Sequence, residues 1–168
     1  MSRAAPNKQL QRAVTRLRAS TAMHHIQSEV DIAATPDTVW GVLTDFAAYP
    51  DWNPFVRRIS GEQTSGARLH VTIQPEGGRA MSFKPRLLVF APQKELRWKG
   101  QLLVPGVFDG EHYFQLSETS ARGVRLEQGE VFSGLLVPLL SRGSMLAGTA
   151  RGFAAMNQAL KTRAEALR

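Results

Sequence analysis

Apolar and polar side chains alternate over residues 24–33, and an alternation of period two predicts a β-strand. A helix is predicted directly after it, because Thr35 is a good N-cap and Pro36 suits the first helical position. Apolar residues then recur with helical spacing through residues 39–46. A second short helical or turn segment is predicted at residues 49–55, where two prolines exclude a long helix. The chain therefore opens with one strand and two short helices.

The middle of the chain alternates in the same strand-like way between groups of turn residues. Short turns between successive strands indicate antiparallel pairing. Over residues 144–168, apolar residues recur every three or four positions, which predicts a long C-terminal helix with one buried face. The order predicts an α+β fold, a curved antiparallel sheet of about six to seven strands wrapped around that helix, with a ligand-sized space between them. The further predicted strands span residues 56–60, 67–74, 80–90, 95–104, 110–117 and 123–132.

Charge divides the chain into two parts. The 168 residues include 21 Lys+Arg and 14 Asp+Glu, for a formal net charge of +7. Five of the basic residues and none of the acidic ones fall within residues 1–22, which leaves 16 basic and 14 acidic residues after them. We predict a basic, partly disordered or helical extension over residues 1–22 and one ligand-binding domain over residues 23–168.

Composition removes several classes of function. The chain has no cysteine, which excludes a disulfide scaffold and thiol catalysis. It has no metal-ligand motif and no glycine-rich phosphate loop, so we expect neither a metal nor another cofactor. Residues 1–22 contain no aromatic side chain for base stacking, so nucleic acid is a minor alternative to weak contact with a membrane surface. No apolar run approaches the roughly 20 residues of a membrane span, and we expect a cytoplasmic monomer or homodimer.

Similarity to a known family is strongest in residues 31–56, which read DIAATPDTVWGVLTDFAAYPDWNPFV. This segment resembles the opening of the START-like, or SRPBCC, superfamily of Bet v 1, polyketide cyclase and lipid-transfer proteins. Residues 106–116, 126–136 and 152–165 are similar to its polyketide cyclase/dehydrase-like branch. The resemblance covers residues 24–168 and implies a helix-grip fold, but the superfamily includes carriers, receptors and cyclases. The matching residues in the opening segment are Pro36, Val39, Trp40, Asp45, Phe46, Tyr49, Trp52, Asn53 and Pro54.

Strand pairing brings a histidine and a glutamate together. If the turn between the last two strands centres near residue 121, opposed residue numbers sum to about 242, and His112 lies opposite Glu130. Alternation places both on the face that carries Phe114 and Phe132, which is the inner one. We predict His112 as a general base and Glu130 as the carboxylate that orients it. The alternative is that His112 and Glu130 only satisfy each other's hydrogen-bonding groups within the cavity wall. A slip of one residue in the strand register would place the two side chains on opposite faces of the sheet.

Aromatic, apolar and amide side chains are candidates for contact with a ligand. Most of them fall on the predicted inner face of the sheet or on the buried face of the C-terminal helix. A role in the core alone stays open for each of them. The candidates are Trp40, Tyr49, Trp52, Phe83, Trp98, Phe114, Gln128, Phe132, Phe153, Met156 and Asn157.

Three functions fit these observations. The first is the binding of a small hydrophobic or amphipathic molecule between sheet and helix. The second is a polyketide cyclase or dehydratase that uses His112 and Glu130 for general acid–base chemistry without a metal. The third is a lipid or quinone carrier at a membrane surface, guided by basic residues 1–22.

Overall fold

The computed structural model describes residues 23–102, 104–120, 123–140 and 144–167. The predicted extension over residues 1–22 lies outside them. Eight strands and four α-helices occur within these ranges, together with one 3₁₀ turn at Phe46–Ala48. The strands are β1 Met23–Ile32, β2 Val56–Ser60, β3 His70–Ile73, β4 Met81–Phe83, β5 Arg86–Ala91, β6 Glu95–Leu102, β7 Phe108–Glu118 and β8 Val124–Ser133. The helices are α1 Pro36–Thr44, α2 Tyr49–Trp52, α3 Val137–Leu140 and α4 Ser144–Ala166.

The strands form two antiparallel sheets, and the α+β helix-grip prediction is confirmed. Strands β1, β8, β7, β6 and β5 follow one another in a five-stranded sheet, and β2, β3 and β4 form a three-stranded one. The predicted single strand over residues 80–90 is wrong, because it is interrupted at Pro85, which has no N–H for a ladder. The carbonyl of Pro85 accepts from the Leu69 amide at 2.9 Å, and the Leu87 amide donates to Ala67 at 2.8 Å. These bonds join the two sheets.

Local capping explains the position of the short helices. The Thr35 side chain accepts from the Thr38 amide at 3.2 Å, and Pro36 occupies the first turn of α1, as predicted. The hydroxyl of Tyr49 is fully buried and donates to the carbonyl of Leu43 at 2.6 Å, which ties α2 to α1. Burial raises the pKa of this phenol, so it remains a donor.

Helix α4 closes the fold against the sheets. Its buried residues recur every three or four positions, as the sequence predicts. Gly152 faces the ring of Phe55, and any Cβ at this position would collide with that ring. Phe55 in turn meets Phe153 edge-on, with ring centroids 5.6 Å apart. The buried face of α4 includes Leu146, Thr149, Phe153, Met156, Asn157, Leu160 and Ala164.

The segment between β8 and α4 presents apolar side chains to solvent. The amides of Leu135 and Leu136 donate to the carbonyls of Gly106 and Val107, so this segment lies beside the β6–β7 loop. Leu135 and Leu139 are 77% and 66% exposed. These two leucines form a second apolar surface, outside the sheets, to which an apolar molecule could bind.

Candidate ligand cavity and histidine site

A cavity of about 550 Å³ lies between the two sheets and the first half of α4. Its volume falls within the usual range for small-molecule sites. Its apolar wall comprises Phe55, Val56, Val71, Ile73, Met81, Phe83, Pro85, Trp98, Phe108, Phe132 and Met145. Its other wall residues are Arg68, Ser82, Lys84, Gly100, Gln101, Gly110, His112, Glu130 and Thr149.

His112 and Glu130 are the titratable pair inside this cavity. Strands β7 and β8 have the predicted register, with His112 opposite Glu130. The Nδ1 atom of His112 lies 3.7 Å from Oε2 of Glu130, which is ion-pair range but longer than a hydrogen bond. The side chains are 6% and 19% exposed, so the carboxylate is the more accessible of the two. A ligand atom can therefore interact with both groups at once.

Three aromatic rings fix the plane of the His112 imidazole. The indole of Trp98 is stacked on it, with centroids 4.8 Å apart and planes 9° apart. Phe114 and Phe153 meet it edge-on at 4.8 and 4.9 Å. Trp98 lies on the neighbouring strand β6, directly opposite His112, whereas Phe153 lies on α4. The imidazole is thus held in an apolar setting in which its remaining polar contacts are strengthened.

Gln128 makes the other polar contact of the imidazole. Its side chain is fully buried, with Nε2 3.3 Å from Nε2 of His112 and 3.5 Å from Sδ of Met156. This orientation gives both amide protons an acceptor and leaves only Oε1 without a partner among the described residues. In this orientation Nε2 of His112 accepts from Gln128, and the imidazole then carries its proton on Nδ1, the atom nearer Glu130.

Two glycines shape the floor of the cavity beside this pair. Gly100 in β6 and Gly110 in β7 are directly opposed, and both line the cavity. The carboxylate of Glu130 lies over Gly110, where any Cβ would collide with it. A Cβ at Gly100 would meet only Pro85, at an ordinary 3.8 Å. Neither glycine was predicted to belong to the site, although opposed glycines in paired strands are a signal of close approach.

Five of the thirteen predicted site residues lie on the cavity wall: His112, Glu130, Phe83, Trp98 and Phe132. The wall includes Met145 and Thr149 of α4 but not the residues one or two turns later, because there the helix packs directly onto the sheet. The polar tip of Asn157, for example, donates to the carbonyl of Ser28 at 3.3 Å. The predicted residues that the structure places away from the wall are Trp40, Tyr49, Trp52, Phe114, Gln128, Phe153, Met156 and Asn157.

A second titratable cluster lies on the opposite face of the sheet and was not predicted. The hydroxyl of Tyr113 donates to Glu127 at 2.9 Å and lies 2.8 Å from Nε2 of His25. The guanidinium of Arg97 lies over the same ring, 4.9 Å from its centroid. Burial and the hydrogen bond to Glu127 raise the pKa of Tyr113 to about 12. This cluster links the first strand to the middle of the sheet.

Comparison with known families agrees with this geometry. The family described as polyketide cyclase / dehydrase and lipid transport matches residues 23–165. The chain belongs to this family. A comparison with curated proteins gave no significant match. The matched range includes all eight described strands and nearly all of α4.

Solved structures show the same fold. An aromatase/cyclase from a Streptomyces species has a TM-score of 0.71 and 21% identity, over 88% of this chain and 97% of that one. A START superfamily protein from Mycobacterium smegmatis has a TM-score of 0.66 and 20% identity, over 86% and 99% of the two chains. A protein from Mesorhizobium loti has a TM-score of 0.65 and 18% identity, over 86% and 99%. This family member thus has the helix-grip fold of the START-like superfamily. Across its described ranges, no helix is long and apolar enough to cross a bilayer.

Proposed function

We propose that this protein binds a small hydrophobic or amphipathic molecule in the cavity between the sheets and α4. The observation that carries the proposal is an apolar cavity of about 550 Å³ with one convergent polar pair, His112 and Glu130, on its wall. Pockets of this kind, apolar with a few oriented polar groups, are typical ligand sites. The family supports a ligand-binding or cyclase role of this general kind.

The polar pair favours a ligand with a hydroxyl or enol group. In the assigned tautomer, His112 Nδ1–H is a donor and the Glu130 carboxylate is an acceptor, 3.7 Å apart. A hydroxyl oxygen accepts from the first and donates to the second. The indole of Trp98 and the ring of Phe132 supply flat apolar surface on the same wall, which suits an aromatic or fused-ring body.

A cavity-filling substitution tests this binding site. Gly100→Leu directs an isobutyl group into the cavity, because among the described residues the close atom around a Cβ there belongs to Pro85, at 3.8 Å. Gly41→Leu is the matched control, since Gly41 is exposed on α1 and a Cβ there meets no atom of the described part of the chain within 4 Å. The probe is N-phenyl-1-naphthylamine, whose fluorescence rises in apolar sites. We expect binding by the wild type and the control and at least tenfold weaker binding by Gly100→Leu. Equal affinities in all three proteins would contradict the proposal.

The same pair favours an enzymatic role as the second candidate. Glu130 is the more accessible group, and Nδ1 of His112 lies 3.7 Å from its carboxylate. In a ketone bound here, the Glu130 carboxylate would remove a proton from the carbon next to the carbonyl. The electron pair of that C–H bond would form a carbon–carbon double bond while the π pair of the carbonyl moves onto its oxygen, and the resulting enolate oxygen would accept the hydrogen bond of His112. This assignment reverses the roles predicted from the sequence, because Gln128 occupies the basic nitrogen of His112.

Deuterium exchange separates catalysis from binding. The probe is 2-tetralone in D₂O, followed by the loss of its α-proton signals in NMR spectra. A catalytic pair predicts faster exchange with the wild type than with Glu130→Gln or His112→Gln, while N-phenyl-1-naphthylamine binds all three with similar affinity. If the wild type gives no faster exchange than Glu130→Gln, the enzymatic role fails and the binding role stands.

A further inference from the structure

We infer that the ligand of this cavity carries an anionic group, and that Arg68 and Lys84 bind it at the cavity opening. The inference deepens the proposed binding function and rests on it. It names a ligand class, an apolar body that ends in a carboxylate, sulfonate or phosphate. Arg68 and Lys84 are two further binding residues, beyond those predicted from the sequence.

The position of the two cations supports this assignment. Both residues line the cavity and both are exposed, so they lie where the cavity meets solvent. Arg68 precedes β3, and Lys84 lies between β4 and β5, at the junction of the two sheets. The guanidinium Nη1 of Arg68 donates to the carbonyl of Lys84 at 3.2 Å. This bond holds the guanidinium next to the backbone of Lys84 and leaves its other donors for a ligand.

The charge balance of the opening points the same way. Within the described ranges, no carboxylate lies within 4.0 Å of the charged groups of Arg68 or Lys84, whereas Arg125 and Lys161 both have such partners. Among the wall residues, the acidic one is Glu130, and it faces His112. The opening therefore carries two positive charges that the described protein does not neutralise.

An anionic end on an apolar ligand satisfies both parts of the site. The apolar body would fill the space along Phe83, Trp98 and Phe132, and the anion would stay at the opening beside the cations. A neutral ligand gains nothing from the two charges, and a cationic ligand is repelled by them. Exposed ion pairs are individually weak, so we expect the pair to change affinity several-fold rather than to determine whether binding occurs.

Two fluorescent probes with one skeleton test the inference. N-Phenyl-1-naphthylamine is neutral, and 8-anilinonaphthalene-1-sulfonate carries a sulfonate on the same framework. The variant is Arg68→Gln combined with Lys84→Gln. The control is Arg58→Gln combined with Lys94→Gln, which removes two exposed cations that are not on the cavity wall. We expect the variant to bind the sulfonate at least about fivefold more weakly, the neutral probe within twofold, and the control to bind both as the wild type does.

Competition identifies the kind of anion. Dodecanoate, dodecyl phosphate and dodecanol are each used to displace N-phenyl-1-naphthylamine from the wild type and from the variant. If either anion competes better than dodecanol in the wild type and loses that advantage in the variant, the inference is supported and the better competitor indicates the group.

The outcomes also separate this inference from the proposed function. If the neutral probe does not bind the wild type, both fail. If it binds but the variant keeps full affinity for the sulfonate, or loses affinity for both probes equally, only the anion inference is overturned. The anion inference alone is also overturned if the control variant weakens sulfonate binding as much as the Arg68→Gln, Lys84→Gln variant does.

Discussion

Replacing Gln128 by leucine tests the assigned hydrogen-bond network of the buried site. The change removes two long donor contacts, to His112 at 3.3 Å and to Met156 Sδ at 3.5 Å, and a buried carbonyl oxygen that has no partner among the described residues. Hydrogen bonds contribute about 0.5–1.5 kcal/mol each, long ones at the low end, whereas a buried unpaired acceptor costs about 1–3 kcal/mol. Leucine leaves no large void, so these effects nearly cancel.

We therefore expect the free energy of unfolding of Gln128→Leu to lie within about 1 kcal/mol of the wild type. For Gln128→Ala, which leaves a cavity, we expect a loss of about 2–4 kcal/mol. Urea denaturation followed by tryptophan fluorescence measures both changes. The comparison of the two variants separates the polar contribution from the packing contribution at this one position.

The tautomer of His112 is the second measurement on the same variant. With Gln128 present, Nε2 accepts a hydrogen bond and the proton resides on Nδ1, facing Glu130. Without that donor, the fraction of the Nε2–H tautomer should rise, and long-range ¹H–¹⁵N correlation spectra distinguish the two forms. A loss of more than about 3 kcal/mol in Gln128→Leu, with an unchanged tautomer, would refute the assigned network.

Three other substitutions test separate parts of the account. Gly110→Ala places a Cβ where the Glu130 carboxylate lies, so that carboxylate must move. Because the carboxylate ends a flexible side chain, urea denaturation should show a loss below about 1 kcal/mol, while fluorescence titration should show several-fold weaker N-phenyl-1-naphthylamine binding; unchanged binding would contradict the close approach. Asn53→Ala removes the buried acceptor of two backbone amides, at 3.0 and 2.8 Å, and should lower the unfolding free energy by about 2–4 kcal/mol; a loss below about 0.5 kcal/mol would contradict this role. The pKa of Tyr113, about 12, lies above its unfolded value of 10.0, so its contribution to stability is complete below pH 10 and is lost as the pH rises through 12. Tyr113→Phe should lack this loss of unfolding free energy, which is on the order of 1–2 kcal/mol. Parallel plots of unfolding free energy against pH for the two proteins would contradict this expectation.

The pairing of His112 with Glu130 could be predicted because it depends on local rules. One turn position sets the register of an antiparallel hairpin, and apolar alternation identifies the inner face. Both features depend on residues that are close together in the sequence. The capping of α1 by Thr35 was predictable for the same reason.

The composition of the cavity wall could not be predicted in this way. Phe83 and Phe153 have the same side chain, yet only Phe83 lines the cavity, because α4 packs onto the sheet from Phe153 onward. Which residues line the cavity depends on how the two sheets and the helix pack together, and the alternation within a strand does not determine this packing. The interruption at Pro85 was visible in the sequence, but the apolar run on either side of it predicted a continuous strand. The orientation of Gln128 likewise depends on Met156, 28 residues away.

The most direct test of the central claim is the location of a bound apolar molecule. Intermolecular nuclear Overhauser effects can be measured between N-phenyl-1-naphthylamine and the aromatic and methyl protons of the wild-type protein. The proposed site predicts contacts to the rings of Trp98, His112 and Phe132 on the cavity wall. Contacts to the exposed side chains of Leu135 and Leu139, with none to those three rings, would contradict it.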